Sequence, residues 1–218
     1  MTTVLELCAV SKSFGSHRVL NLAWLQVRPA EIVGLVGANG AGKTTILRIA
    51  AGLMRADQGT VRWERSSPRI RYFGGESTLP TEVRARRWAA FFGVRSDETR
   101  RIGALSRGTR QLLGLRIALH GVTPDLLLLD EPWDGLDPPA AQRLTAGIRD
   151  WGAAGAAILI SSHRLHDLDD VATRFVLLEE GRCRPVQEQG EGRVGVSRIA
   201  ELVARGSRGG LPDVARRS

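Results

Sequence analysis

The stretch "GANGAGKT", Gly37 to Thr44, sets three glycines, a lysine and a threonine at a spacing suited to a nucleotide's phosphates. Gly37, Gly40 and Gly42 permit turns and close approaches that a Cβ would block. The backbone N–H groups of Ala38, Asn39, Ala41 and their neighbours then converge on phosphate oxygens at the positive end of a following helix. Lys43 adds a point charge for the β- and γ-phosphates, and the Thr44 hydroxyl suits Mg2+. With Thr45 these residues make the expected ATP-binding stretch. The bland alternative, a glycine-rich turn with an idle lysine, leaves unexplained the apolar strand before it ("EIVGLV") and the helix pattern after it ("TILRIAAGLM").

A second group of candidates is acidic. "LLLLDE" puts Asp130 and Glu131 at the carboxyl end of an apolar strand, the edge where α/β sheets hold ligands. Two carboxylates there are costly unless they hold a cation or do chemistry. Asp130 suits the Mg2+ sphere, through water, and Glu131 suits a base that polarises an attacking water. The alternative is a helix-capping pair ahead of Pro132 and Trp133. His163 follows "ILISS" at the end of another apolar strand. Alone it reads as a structural histidine; beside Lys43, Asp130 and Glu131 it reads as a γ-phosphate sensor. Finally "LSRGTRQ", residues 105–111, is a serine turn opening into a helix, and N–H groups at a helix start favour an anion. It poses the question of which anion a second such site would serve.

The elements that must position these residues alternate. "TVLELCAV" and "HRVLNLAWLQV" switch between apolar and polar, as antiparallel strands with one wet face do. "DQGTVRWE" reads as a turn and strand, and "TLPTEVRARRWAAFFG" over 78–93 as a helix capped by Thr78 or Thr81. "PDLLLLDE" and "AAILISSH" are continuous apolar strands suited to a parallel sheet. "DPPAAQRLTAGIRDWGAAG" is a helix entered at proline and left at glycine, "RLHDLDDVA" a short helix, and "RFVLLEEGR" a strand. That alternation predicts an α/β core, interrupted by a helical insert at about 75–122. From 187 to 218 the chain turns glycine- and arginine-rich, a loosely packed tail with one short helix candidate, "SRIAELVARG".

Bulk properties narrow the classes. The 218 residues are 43% hydrophobic and 25% charged, as in an ordinary soluble domain. No apolar run approaches a membrane span, and the start carries no signal-peptide pattern, so a cytoplasmic location is expected. Cys8 and Cys183 are too few for a disulfide framework or metal cluster and read as buried thiols in strands. The net charge is +8, yet the arginines are scattered and lysine occurs only at 12 and 43. The charge is therefore read as compositional bias, and nucleic acid is not the expected partner.

The order of the pieces, a phosphate loop, then "LSRGTRQ", "LLLLDEP", "GLD" and "SSH", resembles the nucleotide-binding domain of ATP-binding-cassette (ABC) ATPases over residues 1 to about 185. The LSxGxRQ form is most similar to ATPase subunits of the ABC-2 exporter type. The resemblance implies a P-loop NTPase core with a parallel sheet, an N-terminal antiparallel β subdomain and a short helical insert, within an ATPase domain spanning 1–186. It implies that Phe14 in "SKSFG" stacks on adenine. It also answers the question about the second anion: two domains pair head-to-tail, and Ser106 and Gly108 cap the γ-phosphate held by the partner. Asp137 in "GLD" would lie in the loop crossing that interface, and loss of the γ-phosphate would release the two halves.

Departures accompany the match. Arg107 replaces the first glycine of the usual signature and Thr109 its glutamine. Gly75 stands where the family has a glutamine that contacts Mg2+ and the attacking water, with Glu76 or Gln58 as imperfect substitutes. The short insert implies a small docking surface. The preferred reading is an ATP-hydrolysing transport subunit, a homodimer in its ATP state, docked on separate transmembrane permease subunits at the inner face of the cell membrane, with export favoured. The alternatives are a soluble ABC ATPase acting on a nucleic-acid or protein assembly, and a protein that only binds ATP.

Overall fold

The computed structural model describes residues 3–74, 79–186 and 196–208. Strands β1 (Leu5–Phe14) and β2 (His17–Val27) form an antiparallel hairpin, and β4 (Gln58–Trp63) joins the other edge of β1. The register of β1 shifts between Leu7 and Ser13, with Ala9 and, across the hairpin, Leu22 at positive φ. The hydroxyl of Ser11 accepts from the Leu22 N–H at 3.1 Å there, replacing a missing ladder bond.

The second sheet runs β5 (Ile70–Phe73), β6 (Leu126–Asp130), β7 (Ala157–Ser161), β3 (Ile32–Val36), β8 (Arg174–Glu179), β9 (Arg182–Val186). Neighbours are parallel except β9, which returns antiparallel beside β8. Every residue of β3, β6 and β7 is buried, as unbroken apolar strands covered on both faces must be. Alternate residues of one strand feed two cores. Leu126 and Leu128 pack with Ile46 of α1 (Lys43–Ala50) and with Leu5, Leu7 and Leu20 of the antiparallel sheet. Leu127 and Leu129 pack on the opposite side with Trp133, Ile148 of α4 (Pro138–Ala153) and Leu168 of α5 (Leu165–Asp169). This is the expected α/β architecture with an antiparallel N-terminal sheet and a short helical insert.

The insert differs in detail. Its helix α2 covers only Ala85–Phe91, and no side chain caps it. Thr81 is no cap, because α2 begins at Ala85 with Arg84 in the cap position; the Thr81 carbonyl accepts from the Gly103 N–H at 2.8 Å, the Ala85 N–H donates to the Arg100 carbonyl and the Ile102 N–H to the Val83 carbonyl. The backbone ahead of α2 is thus spent on tertiary bonds rather than a first helical turn. Thr78 lies outside the described residues. Helix α3 (Arg107–Ala118) follows, and Ala85, Ala89, Ile102 and Leu113 bury a small core between the two.

The short helix expected in the C-terminal stretch is present. Helix α6 runs from Val196 to Arg208, packs on α5 and puts Ile199 fully inside the second core. A helix whose apolar side chains enter the core is an integral element, not a loose end. The thiols of Cys8 in β1 and Cys183 in β9 are free and partly buried. No described helix is long and apolar enough to cross a membrane.

Candidate functional site

The loop between β3 and α1 is shaped by contact. At Gly42, φ is +103° and an added Cβ would lie 2.7 Å from Val19 Cγ1, so β2 packs directly against the bend that starts α1. Gly42 supplies no side-chain cap, which leaves the first-turn N–H groups of α1 for a ligand. Lys43 is only 8% exposed, and its ammonium donates to the carbonyls of Gly37 at 2.8 Å and Ala38 at 3.1 Å. Burial holds its pKa below the usual lysine value, while the carboxylates of Glu131 and Asp130 pull it back up. That coupling places phosphate loop and acidic strand end in one electrostatic neighbourhood. Asn39 and Gly40 are exposed, and Thr44 and Thr45 half-buried. A cavity of about 480 Å3 opens beside Ala38–Ala41, walled by Val19 and, from α6, Arg205.

Asp130 closes β6, is 8% exposed, and accepts from the Ser161 hydroxyl at 2.5 Å. Parallel pairing of β6 with β7 sets these two residues side by side. The next residue, Glu131, has φ +49°, and its N–H donates to the Ser161 carbonyl at 3.0 Å. The turn aims its carboxylate at His163, which approaches Glu131 Oε2 twice, through its backbone N–H at 3.0 Å and ring Nδ1 at 2.8 Å. Neither acid is a helix cap, so the capping alternative does not describe this pair. Asp137 is the cap: its Oδ1 accepts from the Ala140 N–H at 2.8 Å at the start of α4.

The "LSRGTRQ" stretch is fixed to the same loop. Ser106 caps α3, its hydroxyl accepting from the Thr109 N–H at 3.2 Å and lying 2.7 Å from the Thr109 hydroxyl. Gly108 abuts Gly135, where an added Cβ would lie 2.6 Å from the carbonyl oxygen. Arg107, where the family signature has glycine, forms an ion pair with Asp134. Phe14, ending β1, is 49% exposed and 5.7 Å from the Lys12 ammonium, whose other partner is Asp57. Gln58 starts β4 opposite Ser11 and is exposed. Gly75 and Glu76 lie outside the described residues.

Two residues missed by motif reading hold this arrangement. Gln111, 2% exposed on α3, donates to the carbonyls of Glu131 and Pro132 at 3.1 and 3.0 Å. Ser161 holds both Asp130 and the Glu131 backbone. Both stand inside quoted motifs, and the available signal was their polarity: a glutamine on a helix's inner face and a serine ending an apolar strand need partners.

Comparison with known proteins bears on the fold and the family. The family model described as "ABC transporter" matches residues 20–134. An ABC transporter ATP-binding protein of Bacillus subtilis (strain 168) is 28% identical over 79% of this chain and 67% of its own. The "Nod factor export ATP-binding protein I" of Cupriavidus metallidurans is 30% identical over 84% of this chain and 70% of its own, and that of Sinorhizobium fredii 31% identical over 82% and 61%. The chain thus spans about two thirds of these relatives' lengths. A solved ATP-binding subunit of an ABC transporter superposes with a TM-score of 0.78 at 24% identity, over 93% of this chain and 100% of that one. Fold, family match and relatives agree: the chain belongs to the ABC transporter family, as an ATP-binding ATPase subunit.

Proposed function

We propose that this subunit hydrolyses ATP at the edge formed by Gly37–Thr45, Asp130, Glu131 and His163, and drives export through separate transmembrane subunits. The observation that carries the catalytic part is the double contact of His163 on the Glu131 carboxylate beside a buried Lys43. Loop N–H groups and Lys43 hold the β- and γ-phosphates. The donor set of one hydroxyl, Thr44, and one buried carboxylate, Asp130, fits Mg2+, which keeps several waters and shares phosphate oxygens. When bound, that ion neutralises phosphate charge as the γ-phosphate leaves. Glu131 accepts the proton of the attacking water, and His163 fixes its carboxylate and faces the γ-phosphate. Phe14, half exposed, offers a ring for adenine.

In the ATP state two copies pair head-to-tail, with Ser106 and Gly108 of each capping the other's γ-phosphate. Asp137 lies in the loop crossing the interface. Arg107 and Gly108, fastened to the 131–137 loop, support transmission between cap and catalytic end. The assembly docks at the cytoplasmic face of the membrane, on transmembrane permease subunits. Export, rather than uptake, is favoured because relatives at 30–31% identity are named for export.

The test is the solution mass of Glu131→Gln by light scattering, with and without ATP and Mg2+, beside Lys43→Ala. The expected result is doubling for the first and an unchanged monomer for the second. A Glu131→Gln protein that binds ATP and stays monomeric overturns the homodimer, and full ATP affinity in Lys43→Ala overturns the loop assignment. Pull-down from its host in mild detergent should retrieve transmembrane proteins; nucleic acid or a soluble assembly instead overturns the transport reading.

A further inference from the structure

The cavity of about 480 Å3 beside the phosphate loop has a wall that no motif accounts for. It is bounded by loop residues 38–41, by the end of β8 and by α6. The strand order β6-β7-β3-β8 fixes which end of a nucleotide it can serve. Asp130, Glu131 and His163 stand at the ends of β6 and β7, on one side of the loop that follows β3, and the γ-phosphate end points there. The cavity lies on the other side, by β8 and by residues 17–19 of the hairpin strand that follows Phe14. It therefore faces the part of the nucleotide between the outer phosphates and the base.

Helix α6 meets this cavity from a fixed position. Ile199 is fully buried in the second core, and Leu202 and Val203 pack against it. Val203 also lines the cavity, and two residues on stands Arg205, exposed at the same wall. A second arginine, Arg18 of β2, lines it as well. Two carboxylates share the wall: Glu179 is engaged by Arg184 at 3.7 Å, and Glu180 follows in the turn to β9. Without the arginines, a loop suited to an anion would open onto negative charge. With them the balance is positive, and a guanidinium's fork of donors matches phosphate oxygens. We infer that Arg205 is a nucleotide-binding residue supplied by the C-terminal helix, its guanidinium donating to the α-phosphate while Lys43 serves the β- and γ-phosphates. Helix α6 is then a part of the nucleotide site as well as a cover for the core. The inference rests on the assignment of Gly37–Thr45 to nucleotide phosphates.

An arginine at the γ-phosphate tells ATP from ADP, whereas one at the α-phosphate treats them alike. Binding of ADP and of the non-hydrolysable analogue AMP-PNP, each with Mg2+, is measured by calorimetric titration for wild type, Arg205→Ala, Arg205→Lys and Lys43→Ala. Arg205→Ala should weaken both nucleotides by the same factor, about threefold to tenfold, the weight of a charge-assisted bond at an exposed side chain. Arg205→Lys, which keeps the charge, should recover part of that loss. Without ligand, Arg205→Ala should melt at the wild-type temperature, because Ile199 anchors α6. Weakening of AMP-PNP alone overturns the inference by placing Arg205 at the γ-phosphate. Wild-type affinity for both nucleotides, with loss in Lys43→Ala, overturns it while sparing the loop. A melting temperature that falls in Arg205→Ala and Arg205→Lys alike overturns it by making Arg205 a prop for α6. Wild-type affinity in Lys43→Ala overturns the loop assignment on which it rests.

Discussion

Burial acts on Lys43 and on the two cysteines in opposite senses on the pKa scale, because the cation loses solvation when protonated and the thiol when deprotonated. Lys43 tolerates its position because two loop carbonyls and two nearby carboxylates compensate. Cys183 has no such help, and burial pushes its thiol up to about 12; Cys8 is raised as well, by burial and by Glu6. A thiol raised in the folded state favours folding below the unfolded value of about 8.5 and loses that contribution as pH climbs from there toward 12. At pH 8 both thiols should therefore react slowly with Ellman's reagent in the native protein, Cys183 the slower. Both should react at free-thiol rates in guanidinium. Fast native labelling of Cys183 would contradict its burial.

At the scale of elements, one serine hydroxyl is asked to do two jobs. Ser106 caps α3 within its own chain and, in the proposed dimer, faces the partner's nucleotide. The jobs separate by substitution. Ser106→Ala should cost about 1 kcal/mol of monomer stability in urea unfolding, the usual weight of a lost cap. Ser106→Asp keeps a capping oxygen but adds negative charge, so it should retain stability and abolish ATP-dependent doubling in the Glu131→Gln background. The elements also differ in how openly the sequence announced them. The phosphate loop, β3, β6 and β7 were legible because their signals are local: glycine spacing, and apolar runs bounded by polar residues. The capping roles of Ser106 and Asp137 follow the same local chemistry. The strand β5 was missed because four residues, "IRYF", carry no periodicity and become a strand only beside β6. The short α2 was overestimated because the bonds from Thr81, Val83 and Ala85 to residues 100–103 are tertiary. Gln111 and Ser161 belong to the same class, since their importance lies in partners distant along the chain.

For the whole molecule, the second core joins catalytic edge and C-terminal helix. Leu168 of α5, the helix that begins two residues after His163, is buried in one cluster with Ile199 of α6. Ile199→Ala should thus cost about 2–4 kcal/mol in urea unfolding, as for other large-to-small changes in packed cores. A loss near zero would mean that α6 is docked only weakly. The sparing use of lysine has a practical consequence. Lys12 and Lys43 are the only ε-amines in 218 residues: Lys43 is buried across the phosphate loop, and Lys12 is partly buried and paired with the exposed Asp57. An acylating reagent therefore meets two ε-amine addresses, one held by a surface ion pair and one inside the phosphate loop. The ratio of label at the two sites, read by peptide mass, becomes an internal gauge of loop opening in an unmodified chain.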